Sequence, residues 1–176
     1  MGDAAANRLV IPFTRLGDVA VASFEPAEAD VLIRLATEVQ ELLAQADDVV
    51  PHSPGSRAID RLLPAGYGDE GELDAEFRRF TSKDLIDRKV RNAQSVIDAL
   101  SPADGSAGPV SLDAAAVQAW LRCLTDVRLA IAAGLGIEHD DDEPQLAGPD
   151  RYLLEVYRWV AFVQESLIST LEADFS

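Results

Sequence analysis

The chain has 176 residues, of which 48% are hydrophobic, and a formal net charge of −16. This length suits one domain with a substantial core, and the hydrophobic fraction excludes a disordered chain. The acidic balance argues against nucleic acid or an anionic membrane as a partner, because both would repel it. We read the charge as a means of keeping the protein in solution.

The chain contains one cysteine, Cys123. A single cysteine excludes an intramolecular disulfide framework and fits a reducing compartment. Residues 1–7 have no cationic flank before an apolar run, so they do not resemble a signal peptide. The longest uncharged apolar stretch, Leu129–Ile137, is far shorter than the about 20 residues that a bilayer requires. We therefore expect a cytoplasmic protein with no membrane partner.

The N-terminal part predicts a flexible tail over 1–7 and a β-hairpin over 8–24. Two β-like runs, Arg8–Phe13 and Val19–Phe24, flank the turn residues Gly17 and Asp18. Pro12 in the first run predicts that this strand lies at a sheet edge.

The remaining sequence predicts a helical bundle over 25–176, in one domain over 1–176. Apolar residues recur with a 3.6-residue period in four stretches, near 26–46, 82–100, 111–134 and 150–172. Pro26 suits the first turn of the first helix. A short helix is expected over 56–63. The segment Thr81–Asp84 resembles a capping box and predicts a new helix start or a bend. Ser111 and Asp150 are the expected caps of the last two helices. The fold class is therefore mainly α, with four long helices, a short helix and a small hairpin.

Two segments look like ligand sites but fail on chemistry. Residues Gly66–Gly71 match G-x-G-x-x-G, yet Pro64 precedes them and acidic residues crowd them, which is unsuitable for a pyrophosphate. Residues Glu138–Glu143 are acidic, but Pro144 interrupts them and the turn lacks the glycine of a calcium loop. Nucleophile elbows, zinc signatures and P-loops are absent from the sequence. We expect no catalytic residue, cofactor or metal.

Arg128 is the candidate functional residue. It follows Leu121 by seven residues and Leu124 by four, so it is expected on the apolar stripe of the most hydrophobic helix. A buried guanidinium requires a carboxylate, since its charge cannot be removed. Glu76 is the expected partner, and Arg61 and Arg79 could extend the network. Asp126 lies about 160° from Arg128 around the helix and should face elsewhere.

Several short motifs together resemble one known family. They are the run Arg61–Pro64 with Tyr67, the segments Glu76–Arg79, Leu124–Leu129 and Leu135–Ile137, and Trp159 with Gln164–Leu167. The chain from about Phe24 onward is similar to an actinobacterial family of unknown function, whose genes often lie beside the adaptor of the Clp protease. The resemblance implies a cytoplasmic helical protein associated with regulated proteolysis, and it brings no catalytic residues.

These observations favour a non-enzymatic regulatory or protein-interaction module of unknown partner, with a homodimer as a candidate assembly. The alternative is a small-anion-binding protein or enzyme with a pocket around Arg128. A third interpretation is an acidic decoy that occupies a nucleic-acid-binding partner. The sequence does not decide whether Arg128 is structural or faces a ligand.

Overall fold

The computed structural model describes residues 12–46, 53–63, 72–101, 109–138 and 148–172, with only the backbone of Pro54 and of residues 72–80. Three strands and five helices follow in this order: β1 (Phe13–Leu16), β2 (Val19–Ala22), α1 (Pro26–Ala44), α2 (Pro54–Leu62), α3 (Glu72–Leu100), β3 (Val110–Leu112), α4 (Ala114–Leu135) and α5 (Pro149–Glu172). The described chain is mainly α-helical, as predicted. The hairpin, the four long helices and the short helix are confirmed in kind and order.

The small sheet has the order β1-β2-β3, with both pairs antiparallel. Gly17 takes a positive φ of 60° in the β1–β2 turn, a conformation that glycine adopts without steric cost. β1 lies at an edge of the sheet, as Pro12 predicted. The third strand was not predicted, because its three residues fall beside a segment rich in proline and glycine. Its side chains alternate between buried and exposed, as a strand requires.

Several helix boundaries differ from the prediction: α2 begins at Pro54 rather than Ser56, α3 begins at Glu72 rather than near Ser82, and the ends of α1, α2 and α4 shift by one or two residues. Asp113 rather than Ser111 caps α4, since its side chain accepts a hydrogen bond from the Ala116 amide at 2.8 Å, and Ser111 belongs to β3. The helix α3 runs through Thr81 without a new start, so the polar segment there is not a boundary. α5 begins at Pro149, which places Asp150 in the first turn, where its charge still favours the helix dipole.

α4 is the central helix of the fold. It packs against α1, α2, α3, α5 and β3, and this explains why its buried residues extend around most of its circumference. An aromatic cluster anchors the hairpin to α4: the Phe13 and Trp120 rings lie 5.4 Å apart edge to face, and Phe24 stacks on Trp120 at 6.1 Å. One continuous core therefore joins the hairpin to the helices.

Candidate functional site: the two polar faces of the central helix

Arg128 faces α5, and it is half-buried rather than enclosed in the core. One guanidinium NH₂ group donates to Gln164 Oε1 at 3.1 Å, and the other donates to the Tyr157 hydroxyl at 3.2 Å. The guanidinium carbon also lies 5.1 Å from the centre of the Tyr157 ring, within cation–π range. Arg128 therefore lies at the margin of the core, and the choice between a structural and a ligand-facing role stays open.

Gln164 extends this contact back to α4. Its side-chain amide donates to Thr125 Oγ1 at 2.7 Å and to the Leu121 carbonyl at 3.4 Å, while its oxygen accepts from Arg128. The amide therefore has partners for both donors and its acceptor, as a polar group packed between two helices requires. This arrangement ties α4 to α5.

The structure describes the side chain of one of the three predicted neighbours of Arg128. Arg61, on α2, lines a cleft of about 160 Å³ together with Arg128 and Glu138. Glu76 and Arg79 lie on α3, in the stretch whose side chains are outside the described structure. The Glu76–Arg128 ion pair therefore stays a prediction.

The opposite face of α4 carries a buried ion pair that the sequence did not predict. Lys89 Nζ, on α3, donates to Asp126 Oδ1 at 2.5 Å, and the two side chains are 17% and 4% exposed. Asp126 does point away from Arg128, as its helical position predicted. Its other oxygen, Oδ2, is buried and has no hydrogen-bond partner in the described structure. Burial raises the pKa of the Asp126 carboxyl, while the hydrogen bond and charge of Lys89 oppose the shift.

A cleft of about 540 Å³ lies between α3 and α4 at this ion pair. Its lining includes Lys89, Asp126, Arg88, Arg122 and Asn92. Asn92 is only 8% exposed, and no hydrogen bond from the described residues satisfies its side-chain amide. Arg88 and Arg122 are exposed. The cleft therefore combines a buried polar group with a local excess of positive charge, in a chain whose net charge is −16.

Cys123 lies beside this pair on α4 and is buried. Burial, with a smaller contribution from the Asp126 charge, raises the pKa of its thiol to about 12, while the charge of Lys89 lowers it. A thiol that stays protonated is a poor nucleophile. Its burial suits a small side chain that packs in the core.

The two doubtful ligand segments of the sequence, Gly66–Gly71 and Glu138–Glu143, lie outside the described residues, except for Glu138, which is exposed. Among the described residues, no cluster of three or more metal-ligating side chains occurs. None of the described helices has the length and apolarity needed to cross a membrane.

Several large apolar side chains of α5 are exposed. Tyr152 is 63% exposed, and Phe162, Ile168 and Leu171 are also exposed. Near the start of the helix, Tyr152 and Trp159 line an apolar cleft of about 340 Å³ against α1. The exposed side chains point in different directions, since Tyr152 and Ile168 are about 160° apart around the helix, so the cleft at Tyr152 is the part of this surface that suits a contact.

Sequence reasoning missed Lys89 and Asn92. They lie one position before Val90 and Ala93, which belong to the predicted apolar stripe of α3. Lys89 and Asn92 are three residues apart, and this spacing places both on the same side of α3, next to its apolar stripe. That spacing was the signal in the sequence that could have indicated them. The signal could not name Asp126 as the partner of Lys89, because helical periodicity does not establish which helices are neighbours.

Comparison with known proteins identifies the family. Residues 10–171 match the model of the domain of unknown function DUF2017. A Mycobacterium tuberculosis relative, named Oxidative stress regulator AosR, is 29% identical over 189 positions, which cover 90% of this chain and 84% of that protein. The Mycobacterium bovis protein of the same name matches equally.

A further relative, from Mycobacterium leprae, also carries the AosR name. It is 32% identical over 115 residues, or 65% of this chain, and the match spans about half (52%) of that protein. No solved structure matches significantly. The chain belongs to the DUF2017 family, which has actinobacterial members, and the family resemblance inferred from its motifs is confirmed.

Proposed function

We propose that this chain is a regulatory protein of the bacterial response to oxidative stress and that it acts through contacts with other proteins. The observation that carries the proposal is the relationship to proteins named oxidative stress regulator AosR, which extends over 90% of the chain. The family model itself matches residues 10–171, a range that includes the hairpin and nearly all of the five helices. The proposal places the protein in the cytoplasm, where the single cysteine stays reduced.

The apolar cleft between α1 and α5 supports a protein partner. Aromatic side chains dominate the energetics of many protein interfaces, and this cleft is lined by the exposed Tyr152 and the half-buried Trp159. The proposal includes a non-enzymatic mode of action and a link to Clp-type regulated proteolysis, for which the family resemblance is the support. A homodimer formed through α5 is the alternative assembly.

The chemistry of Cys123 restricts how such a regulator would respond to oxidants. At pH 7, a thiol with a pKa of about 12 is ionised in roughly one molecule in 10⁵. The chain has one cysteine, so it cannot form an internal disulfide. We therefore propose that the oxidant signal reaches this protein through a partner or an effector rather than through its own thiol.

The alternative function is small-anion binding at Arg128. The cleft lined by Arg61 and Arg128 favours it. Two guanidinium nitrogens of Arg128, however, already donate to Gln164 and Tyr157, which leaves fewer donors for a ligand.

The regulatory proposal is tested by deleting the gene in its own host and comparing transcript profiles before and after exposure to hydrogen peroxide. We expect the deletion to change the peroxide response and the wild-type gene to restore it. A Cys123→Ser gene should restore the response equally. An unchanged response in the deletion strain would refute the regulatory proposal, whereas a failure of Cys123→Ser alone would refute the thiol-independent mode.

A further inference from the structure

We propose that the cleft between α3 and α4 binds a small organic phosphate whose non-phosphate part carries N–H or O–H groups. The cleft volume of about 540 Å³ lies in the range of small-molecule sites. Its lining residues come from successive turns of two packed helices, at positions 85, 88, 89 and 92 of α3 and 121, 122, 125 and 126 of α4. Residues at these spacings share one helix face, so rigid elements hold the site.

The charges of the cleft favour a dianion. Lys89 is neutralised by Asp126, with which it forms a buried ion pair. The positive charges of Arg88 and Arg122 remain, and no ion pair with a described residue neutralises either of them. A phosphate monoester carries a charge of about −2 at pH 7, which matches two guanidinium groups. Guanidinium forks also fit phosphate oxygens in two-point contacts.

Asn92 provides the second, independent observation. Its residue surface is more than nine-tenths buried, it lines the cleft, and its amide makes no hydrogen bond with the described residues. Its polar side-chain atoms do not belong to the fully enclosed group that includes Asp126 Oδ2, so they remain open to the cleft. A ligand that donates to the amide oxygen and accepts from the amide nitrogen would satisfy both polar atoms of this largely buried side chain.

These positions divide recognition between two parts of the ligand. Arg88 and Arg122 would contact the phosphate, because they supply the unneutralised charge. Asn92 would contact the polar organic part, because it lies deeper between the helices. Arg128 does not contribute, since it faces α5 on the other side of α4. This site is therefore distinct from the anion pocket expected around Arg128.

The test measures binding to the purified full chain by NMR amide shifts. The probes are ribose 5-phosphate, adenosine 5′-monophosphate, inorganic phosphate and ribose. We expect saturable shifts confined to α3 and α4 with at least one organic phosphate, at least about tenfold weaker binding of inorganic phosphate, and none of ribose. No saturable shift with either organic phosphate up to roughly 10 mM would overturn the proposal.

Variants separate the two recognition elements. Arg88→Gln with Arg122→Gln should weaken the organic phosphate by at least about tenfold, since two charge-assisted contacts are lost. The matched control, Arg34→Gln with Arg158→Gln, removes the same charge from exposed positions on α1 and α5 and should weaken binding less than about twofold. Equal losses in the two double variants would refute a site in this cleft.

Asn92→Ala should weaken the organic phosphate and leave the affinity for inorganic phosphate unchanged. Asn92→Asp, which retains the shape but replaces the donating nitrogen with a negative oxygen, should weaken both. Circular dichroism melts identify any variant that fails to fold. If an Asn92 variant does not fold, the Arg88→Gln, Arg122→Gln double variant decides whether the cleft binds the organic phosphate. Unchanged affinity of a folded Asn92→Ala protein for the organic phosphate would remove Asn92 from the site and overturn the proposed division.

Discussion

Replacing Lys89 with methionine should cost the protein a large part of its stability. Methionine keeps most of the side-chain length but leaves the Asp126 carboxylate, 4% exposed, without a counterion. Removing one partner of a buried ion pair costs about 3–5 kcal/mol, against a total stability of about 5–15 kcal/mol for a domain. We therefore expect Lys89→Met to lower the free energy of unfolding by about 3 kcal/mol at pH 7.

The loss should depend on pH in a defined direction. Burial already raises the pKa of Asp126 from 3.8, and removal of Lys89 removes the two effects that oppose this shift. An acid whose folded pKa is raised destabilises the fold as pH rises from its unfolded pKa through its folded pKa. Lowering the pH from 7 to 5 should therefore return up to about 2.7 kcal/mol to Lys89→Met, at 1.36 kcal/mol per pH unit.

A double-mutant cycle identifies the cause. Asp126→Asn removes the charge that is costly to bury, so adding it to Lys89→Met should recover about 2 kcal/mol or more at pH 7. Urea unfolding curves at pH 5 and 7 measure all four proteins. Lys83→Met is the matched control, because it makes the same substitution at an exposed position of α3 and should change stability by less than about 0.5 kcal/mol. A pH-independent loss below about 1 kcal/mol for Lys89→Met would refute the reasoning.

Two further predictions concern the other polar groups of α4. Arg128→Ala should lower the free energy of unfolding by about 2 kcal/mol. The effect of Gln164→Ala should be non-additive with it, because the two side chains share a hydrogen bond. An unchanged melting temperature of the Arg128→Ala protein would instead support the pocket interpretation. At pH 7, the raised pKa of about 12 should make Cys123 of the folded protein react with a thiol reagent about a thousandfold more slowly than the same cysteine of the protein unfolded in urea. Similar labelling rates in the folded and unfolded proteins would contradict the raised pKa.

The sequence predicts most of the architecture because the relevant signals are local. The 3.6-residue period of α1 and α5 and the Gly17 turn each depend on neighbouring residues, and the structure agrees with them. β3 could not be found in this way, since its three residues form a strand only when β2 pairs with them across some ninety positions of sequence.

The polar sites show a sharper limit. The positions of Asp126 and Arg128 on α4 correctly predict that they face different directions. They do not establish which helix each residue meets, because that depends on how α3 and α5 pack against α4. The sequence therefore directed attention to Arg128, while the described buried ion pair is formed by Lys89 and Asp126.

The attachment of β1 to α5 has a consequence for the synthesis of the protein. The Phe13 amide donates to Ser166 Oγ at 3.3 Å, across a sequence separation of 153 residues. At a translation rate of roughly 5–20 residues per second, β1 must wait on the order of ten seconds or more before its partner on α5 is made. During that interval Phe13 lacks α5 and, at first, also the Trp120 ring. The hairpin therefore takes its final place after most of the chain has left the ribosome, and the nascent protein exposes an aromatic surface that chaperones can bind.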